Sequence, residues 1–459
     1  MPDTAAVLNR LDQDRDGALA RLFELIRLRS ISTDPAYAEE CRKAADWLAG
    51  DLASIGFEAK AHATQGHPIV LAQDHDAEGP HLLFYGHYDV QPVDPIELWE
   101  ADPFNPEIVT REDGSQAIRA RGASDDKGQV MTFVEACRAW KTVAGRLPCK
   151  ITMVIEGEEE SGGASLPPFL EAHRDALGAD IALVCDTGMW DTKTPAITTM
   201  LRGNTTEEMT IHAASRDLHS GIYGGVAANP IHVLTRILSA LHHDDGRIAI
   251  PGFYDGVPDL PADLRQQWDG LGFSPESFLG EIGLSQPWGR HGHSALEHLW
   301  SRPTAEVNGI WGGYTGAGFK TVIPAEAHAK VSFRLVGDQN PERIRGLFRQ
   351  FVEDRLPADC RASFIGHGGG HATRMPLEDP AFAKARQALS DEWGTEAAFI
   401  GSGGSIPVVA QFKSILGLDA MLIGFALDDD RMHSPNERYG LASFQKGARS
   451  WARVLAALA

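Results

Sequence analysis

The chain has little cysteine. Cys41, Cys137, Cys149, Cys185 and Cys360 are the only five in 459 residues. Their number is odd and no two are spaced Cys-x-x-Cys, which argues against a disulfide framework or a thiolate zinc knuckle. Cys41 and Cys137 fall in apolar helical patterns and read as small buried hydrophobes. Basic residues are also in short supply: 42 Lys plus Arg against 63 Asp plus Glu, a formal net charge of −21. Such a chain is a poor match for nucleic-acid phosphates or for anionic lipid. Long apolar runs are missing. The longest reach eight residues, as at Ala420 to Leu427, whereas a bilayer span needs ~18. The first residues include Asp3, Asp12, Asp14 and Asp16 and no apolar signal core, so the expected location is the cytoplasm. There is no G-x-S-x-G elbow, no G-x-x-x-x-G-K-[ST] loop, and no G-x-G-x-x-G after a strand. Serine-hydrolase, P-loop and dinucleotide readings therefore lack support.

What is present is an ordinary globular composition, 43% hydrophobic and 23% charged, over a length that suits two to three domains. Up to about residue 200, short apolar runs alternate with helical stripes. Ile69–Ala72, His81–Tyr85, Ile151–Ile155 and Ile181–Val184 read as strands. Cys41 to Leu52 and Val130 to Trp140 read as helices. This pattern predicts an α/β layer with a mostly parallel sheet and helices on both faces. From about residue 205 the texture changes to an α+β unit inserted into the first. It has strands at Thr205–His212, Ala327–Leu335 and Arg361–Gly366, and helices at Pro230–Leu241 and Pro341–Leu356. Residues 245 to 305 are rich in Gly, Pro and Trp and weakly periodic. The α/β pattern returns after about 375, with a helix at Phe382–Trp393, a strand at Ala420–Ala426 and a closing helix at Leu441–Leu458. The expected division is 1–204 and 375–459 for one discontinuous domain and 205–374 for the insert.

Five segments carry metal-ligand residue types beside strands or glycine turns. They are Gly86-His87-Tyr88-Asp89-Val90, the loop Arg121 to Gly128 with Asp125 and Asp126, the acidic turn Glu156 to Gly163, Asp186, and His433. Four of them follow strands, where open α/β sheets place their sites. His87 and Asp89 share a side of extended chain, and a ligating His gains from a carboxylate on its other nitrogen. Clustered carboxylates raise one another's pKa unless a cation sits among them. Taken singly, each residue has an ordinary reading as a surface histidine, a solvated acidic loop or a helix cap. Together, two His and several Asp/Glu without thiolates suit Zn²⁺ or Mn²⁺, and also Co²⁺. The set is large enough for two ions with a shared carboxylate. His367-Gly-Gly-Gly-His371 looks metal-like, but its glycines preclude a helix with both imidazoles on one face.

These motifs, in this order, resemble the dinuclear-metal peptidases of the carnosinase, carboxypeptidase G and acetylornithine deacetylase group. Within that group the resemblance is to the cytosolic nonspecific dipeptidase, or carnosinase-like, branch, and it runs from about residue 20 to the C-terminus. It implies His87, Asp125, Glu160, Asp186 and His433 as metal ligands, with Asp125 bridging. Asp89 would be the orienting carboxylate and Glu159 the general base. It also implies a cis peptide after Asp125. Asp125 and Asp126, and Glu158 and Glu159, are adjacent like residues, and the motif register favours Asp125 and Glu159. Aspartate at 186 fits the aminopeptidase and dipeptidase members; glutamate there goes with deacylases and carboxypeptidases.

By the same resemblance the insert is a ferredoxin-like lid and dimerisation domain. His219, in Asp217-Leu218-His219-Ser220-Gly221, would reach the partner subunit's active site in a homodimer. Thr321, Arg334 and Ser405 match substrate-binding positions, with Arg334 clamping a C-terminal carboxylate. The expected activity is hydrolysis of a dipeptide amide by water activated on two divalent ions, Zn²⁺ first and Mn²⁺ second. The alternatives are an N-acyl amino-acid deacylase of the same group and a non-catalytic metal-binding homologue.

Overall fold

The computed structural model describes residues 4–289 and 292–459. The chain divides into two compact units. The first comprises Met1–Thr199, Met375–Ile400 and Gln411–Ala459; the second comprises Met200–Arg374 and Gly401–Ala410.

The first unit is built on a mixed sheet. From one edge its strands run Glu58–His62, Ile69–Asp74, Lys150–Glu156, His81–His87, Ile181–Val184, Ala420–Leu422 and Ala196–Leu201. The centre is parallel: Lys150–Glu156, His81–His87, Ile181–Val184 and Ala420–Leu422 all point the same way. The flanking pairs are antiparallel. Central strands covered on both faces need apolar side chains in both directions, which is why they read as unbroken apolar runs. Every residue of Ile181–Val184 is buried. The helices Lys127–Ala144 and Leu441–Leu458 pack on one another. Phe84 of the sheet stacks on Phe133 at 3.9 Å between centroids, and Trp451 meets Phe133 edge-on at 5.2 Å. Aromatic groups of this size bury 150–250 Å² each, so they dominate the core.

Glu107–Thr110, Gln116–Arg119 and Arg438–Gly440 form a separate antiparallel ribbon. Its strands have three or four residues and no long apolar run, so sequence pattern does not announce them. Their pairing lays the segment after His433 against the loop that carries Asp125.

The second unit holds a four-stranded antiparallel sheet with spatial order Thr304–Gly312, Glu326–Leu335, Gly203–His212, Arg361–Gly370. In chain order that is 2-3-1-4, the ferredoxin-like arrangement. Pro230–Ser239 and Pro341–Glu353 supply the helices, each with proline in its first turn and an Asn cap whose side chain accepts a backbone N–H. Met209, Ile211, Leu234, Phe333 and Phe348 lie in its core. All of the 245–305 stretch except residues 290 and 291 is described. It contains three short helices, Ala262–Asp269, Pro275–Gly280 and Ala295–Trp300, the last opened by a Ser294–Glu297 capping box. The His367-to-His371 motif is no helix. Residues up to Gly370 belong to the Arg361–Gly370 strand, with an irregularity between His367 and Gly369.

Candidate active site

The central parallel strands deliver their next residues to one place. His87 ends the strand His81–His87 and is fully buried. Gly86 before it has no room for a side chain, because a Cβ would lie 2.5 Å from Val130 and 2.8 Å from Asp126. Glu159 and Glu160 sit on a short 3₁₀ turn three residues past the strand Lys150–Glu156. Asp186 follows Ile181–Val184. Asp125 and Asp126 lead into the helix Lys127–Ala144, and the peptide joining them is cis. Gly128 lets that helix start tightly under the loop; a Cβ there would lie 1.9 Å from the Ala123 carbonyl oxygen. His433 is on a loop in which Arg431, His433 and Asn436 all have positive φ.

Among the described residues, two groups of His, Asp and Glu converge. Ligand atoms of His87, Asp125 and Asp186 lie within 4.8 Å of one another, and so do those of Asp125, Glu160 and His433. Asp125 belongs to both. Its two oxygens point opposite ways, Oδ1 lying 3.0 Å from His87 Nε2 and Oδ2 2.9 Å from His433 Nε2. His433 Nε2 is also 3.3 Å from Glu160 Oε1.

The electrostatics fit a cationic guest. His87 Nε2 is buried and has no hydrogen bond of good geometry. Burial would hold Asp125 protonated, but the His433 and His87 imidazoles beside it keep its carboxyl below the usual range. Burial pushes Asp186 up to about 7, and Asp125, Glu159 and Glu160 add to the rise against His87. Burial likewise raises Glu159; His87 opposes the shift while Glu160, Asp125 and Asp89 reinforce it. Hydrogen bonds to Asp125 and Glu160 push His433 up to about 10. These buried carboxylates repel one another, and the two imidazoles are the only basic side chains set against them in the two groups. Divalent ions would relieve that repulsion through oxygen and imidazole coordination.

The remaining residues brace these. His87 Nδ1 hydrogen-bonds the Asp89 backbone carbonyl at 3.1 Å and lies 3.3 Å from Asp89 Oδ1. The Asp89 carboxylate also accepts the amides of Glu159 and Glu160 at 3.3 and 3.0 Å and the Ser32 hydroxyl at 2.6 Å. Asp89 therefore holds the acidic turn as well as the histidine. In each adjacent like pair, one member is engaged elsewhere. Glu158 accepts the amides of His67 and Ser165 at 3.1 and 2.9 Å. Asp126 accepts the His87 amide at 3.1 Å. Sequence reading missed Gln91, which donates to Glu160 Oε2 at 2.6 Å, and Glu437, although Glu437 lies only four residues past His433.

His219, Thr321, Arg334 and Ser405 all belong to the second unit. His219 is exposed, and its Nδ1 accepts the Gly221 amide at 3.0 Å. That bond assigns the ring proton to Nε2. Leu218–His219 pairs with Val322–Ile323, and the Ser220 amide donates to the Thr321 carbonyl, so His219 and Thr321 are neighbours. Arg334 lies on the sheet opposite Asn204 and Thr304 and makes no ion pair among the described residues. Ser405 is exposed on a loop whose Gly403 and Gly404 carbonyls accept from Arg202.

A shared carboxylate between two oxygen-and-imidazole groups, at the C-terminal ends of parallel strands, defines a metal-dependent hydrolase. The chain belongs to peptidase family M20/M25/M40, whose family model matches residues 83–457. It is 31% identical over 453 residues to the Cys-Gly metallodipeptidase DUG1 of Candida albicans, covering 94% of this chain and 92% of the relative. It is 29% identical to human Beta-Ala-His dipeptidase over 391 residues, 84% of this chain and 76% of the relative. The solved structure of the metallo-carboxypeptidase Sso-CP2 from Sulfolobus solfataricus superposes with a TM-score of 0.79 at 30% identity, covering 96% of this chain and 99% of that one. No described helix is long and apolar enough to cross a membrane.

Proposed function

We propose that the protein hydrolyses the peptide bond of dipeptides, with two divalent ions per subunit. The observation that carries this reading is the pair of ligand groups sharing Asp125. His87, Asp125 and Asp186 would hold one ion, and Asp125, Glu160 and His433 the other. When bound, such ions lower the pKa of water from about 15.7 to about 7 and polarise a carbonyl. Glu159, outside both ligand groups and with its carboxyl pushed up, takes the proton of the attacking water and returns it to the leaving amine.

His219 acts from the partner subunit of a homodimer. Its Nε2–H donates to the oxyanion that forms at the scissile carbonyl. Arg334 holds the substrate's terminal carboxylate, which suits a guanidinium with no acidic partner among the described residues. Thr321 and Ser405 contribute hydroxyls to the same substrate, and the second unit serves as lid and dimerisation domain. The ions are Zn²⁺ or, second, Mn²⁺, since both accept this ligand set. The protein works in the cytoplasm; its five cysteines are all unpaired.

The test is a substrate panel on apo-protein reloaded with Zn²⁺ or Mn²⁺. Cys-Gly, β-Ala-His and other dipeptides should be cleaved and N-acetyl amino acids should not. A preference for N-acetyl amino acids would assign a deacylase instead.

A further inference from the structure

Glu437 carries no ligand or catalytic role, yet its carboxylate is fully buried and saturated with donors. Oε2 accepts the Arg121 guanidinium at 2.7 Å and the Gly122 amide at 3.1 Å. Oε1 accepts the amides of Ser124 and Asp125 at 3.0 and 3.1 Å. All four donors lie on the loop that presents Asp125. Glu437 itself is four residues past His433, on the loop with three positive-φ residues. The clamp continues into the ribbon: the Ala120 amide donates to the Glu437 carbonyl, and Arg438 pairs with Arg119. On the other side of His433, Asp430 Oδ2 accepts the Ser124 hydroxyl at 3.0 Å.

A carboxylate removed from water with four donors is costly to build and rigid once built. It joins two segments more than three hundred residues apart in sequence, one holding Asp125 and the other His433. These are the ligands common to the second group, Asp125–Glu160–His433. The third, Glu160, is held separately by Gln91 and Asp89. His87 and Asp186, by contrast, are fixed by the ends of neighbouring sheet strands.

We infer that Glu437 is a positioning residue that sets the separation of Asp125 from His433, and so tunes the affinity of the second metal ion more than that of the first. The inference rests on the two-metal reading above. Residues that orient ligands are typically worth 10–100-fold in metal affinity.

The experiment is calorimetric titration of chelator-treated full-length protein with Zn²⁺, and with Co²⁺ followed by its visible absorption. It is run well below the unfolding temperature of wild type, Glu437→Gln and Glu437→Asp. Wild type should bind two ions. In Glu437→Gln one of the two constants should fall by ~10–100-fold, while the other changes less, so their ratio shifts at least ~10-fold. Glu437→Asp keeps the charge but is one methylene short, and should fall between. If Glu437→Gln does not fold, Glu437→Asp decides. A purely structural role would lower the melting temperature and leave the ratio of the two constants alone, which overturns the inference. Wild type taking up fewer than two ions would instead sink the two-metal reading itself.

Discussion

Glu158 and Glu159 are neighbours of identical chemistry, and the proposed function gives them opposite tasks. Replacing each with glutamine separates the tasks. Glu159 lies outside both ligand groups, so Glu159→Gln should retain two ions. It cannot accept a proton, so the rate should fall by what a general base contributes, about 10²–10⁴-fold. At 1.36 kcal/mol per tenfold that is about 3–5 kcal/mol of barrier, appearing in kcat with little change in KM. Glu158 spends both oxygens on backbone amides, of His67 and Ser165. Glutamine keeps one acceptor and loses the charge. Glu158→Gln should therefore cost about 1–3 kcal/mol of stability and leave kcat within a few-fold. The assay is kcat and KM on one dipeptide, with metal content by elemental analysis and stability by denaturant titration. The reasoning fails if Glu159→Gln turns over normally, if it loses its metal, or if Glu158→Gln proves the slower enzyme.

Three further outcomes follow from the same geometry. Arg334→Ala should raise KM at least ~10-fold for substrates with a free terminal carboxylate, the scale of a lost charge-assisted pair; equal losses on amidated substrates would argue against the clamp. His219→Ala and His433→Ala, each inactive alone, should regain activity when their subunits are mixed, because one hybrid site then has both histidines; no recovery would mean that His219 serves its own subunit. Glu156 is buried behind the acidic turn, hydrogen-bonded to the Tyr85 hydroxyl, and burial pushes its carboxyl from 4.5 up to about 8. A raised acid keeps its proton in the folded state, so the stability it contributes is full below pH 4.5 and is lost as pH rises toward 8. In chelator-treated protein, Glu156→Gln should match wild type near pH 4.5 and exceed it by a few kcal/mol at pH 8; a difference that does not grow with pH would refute this.

Much of the framework was legible because it depends on local patterns. Buried parallel strands must be apolar on both faces, so His81–His87, Lys150–Glu156 and Ile181–Val184 stand out as runs. The residue types after them advertise metal chemistry. Boundaries slipped where pattern and geometry part. The strand expected over Ala420–Ala426 ends at Leu422, and the helix expected to reach Leu356 ends at Glu353. The Glu107–Thr110 and Gln116–Arg119 hairpin went unread because its four-residue strands are partly exposed. So did the order of the sheet, in which Lys150–Glu156 slides between Ile69–Asp74 and His81–His87. That depends on crossover connections, which leave no mark on composition.

The sequence by itself determined the α/β framework, the inserted second unit and the chemical inventory of the site: two imidazoles and a surplus of carboxylates at strand ends. Side-chain period and residue chemistry are written locally and need no partner to be read. Only the tertiary structure decided which carboxylate does what. It directed Glu158 to two backbone amides, gave Asp89 to the turn of Glu159 and Glu160, and brought Glu437 across to the Asp125 loop. Adjacent residues of one type are indistinguishable until the backbone points them. That direction comes from hydrogen bonds between segments far apart in the chain.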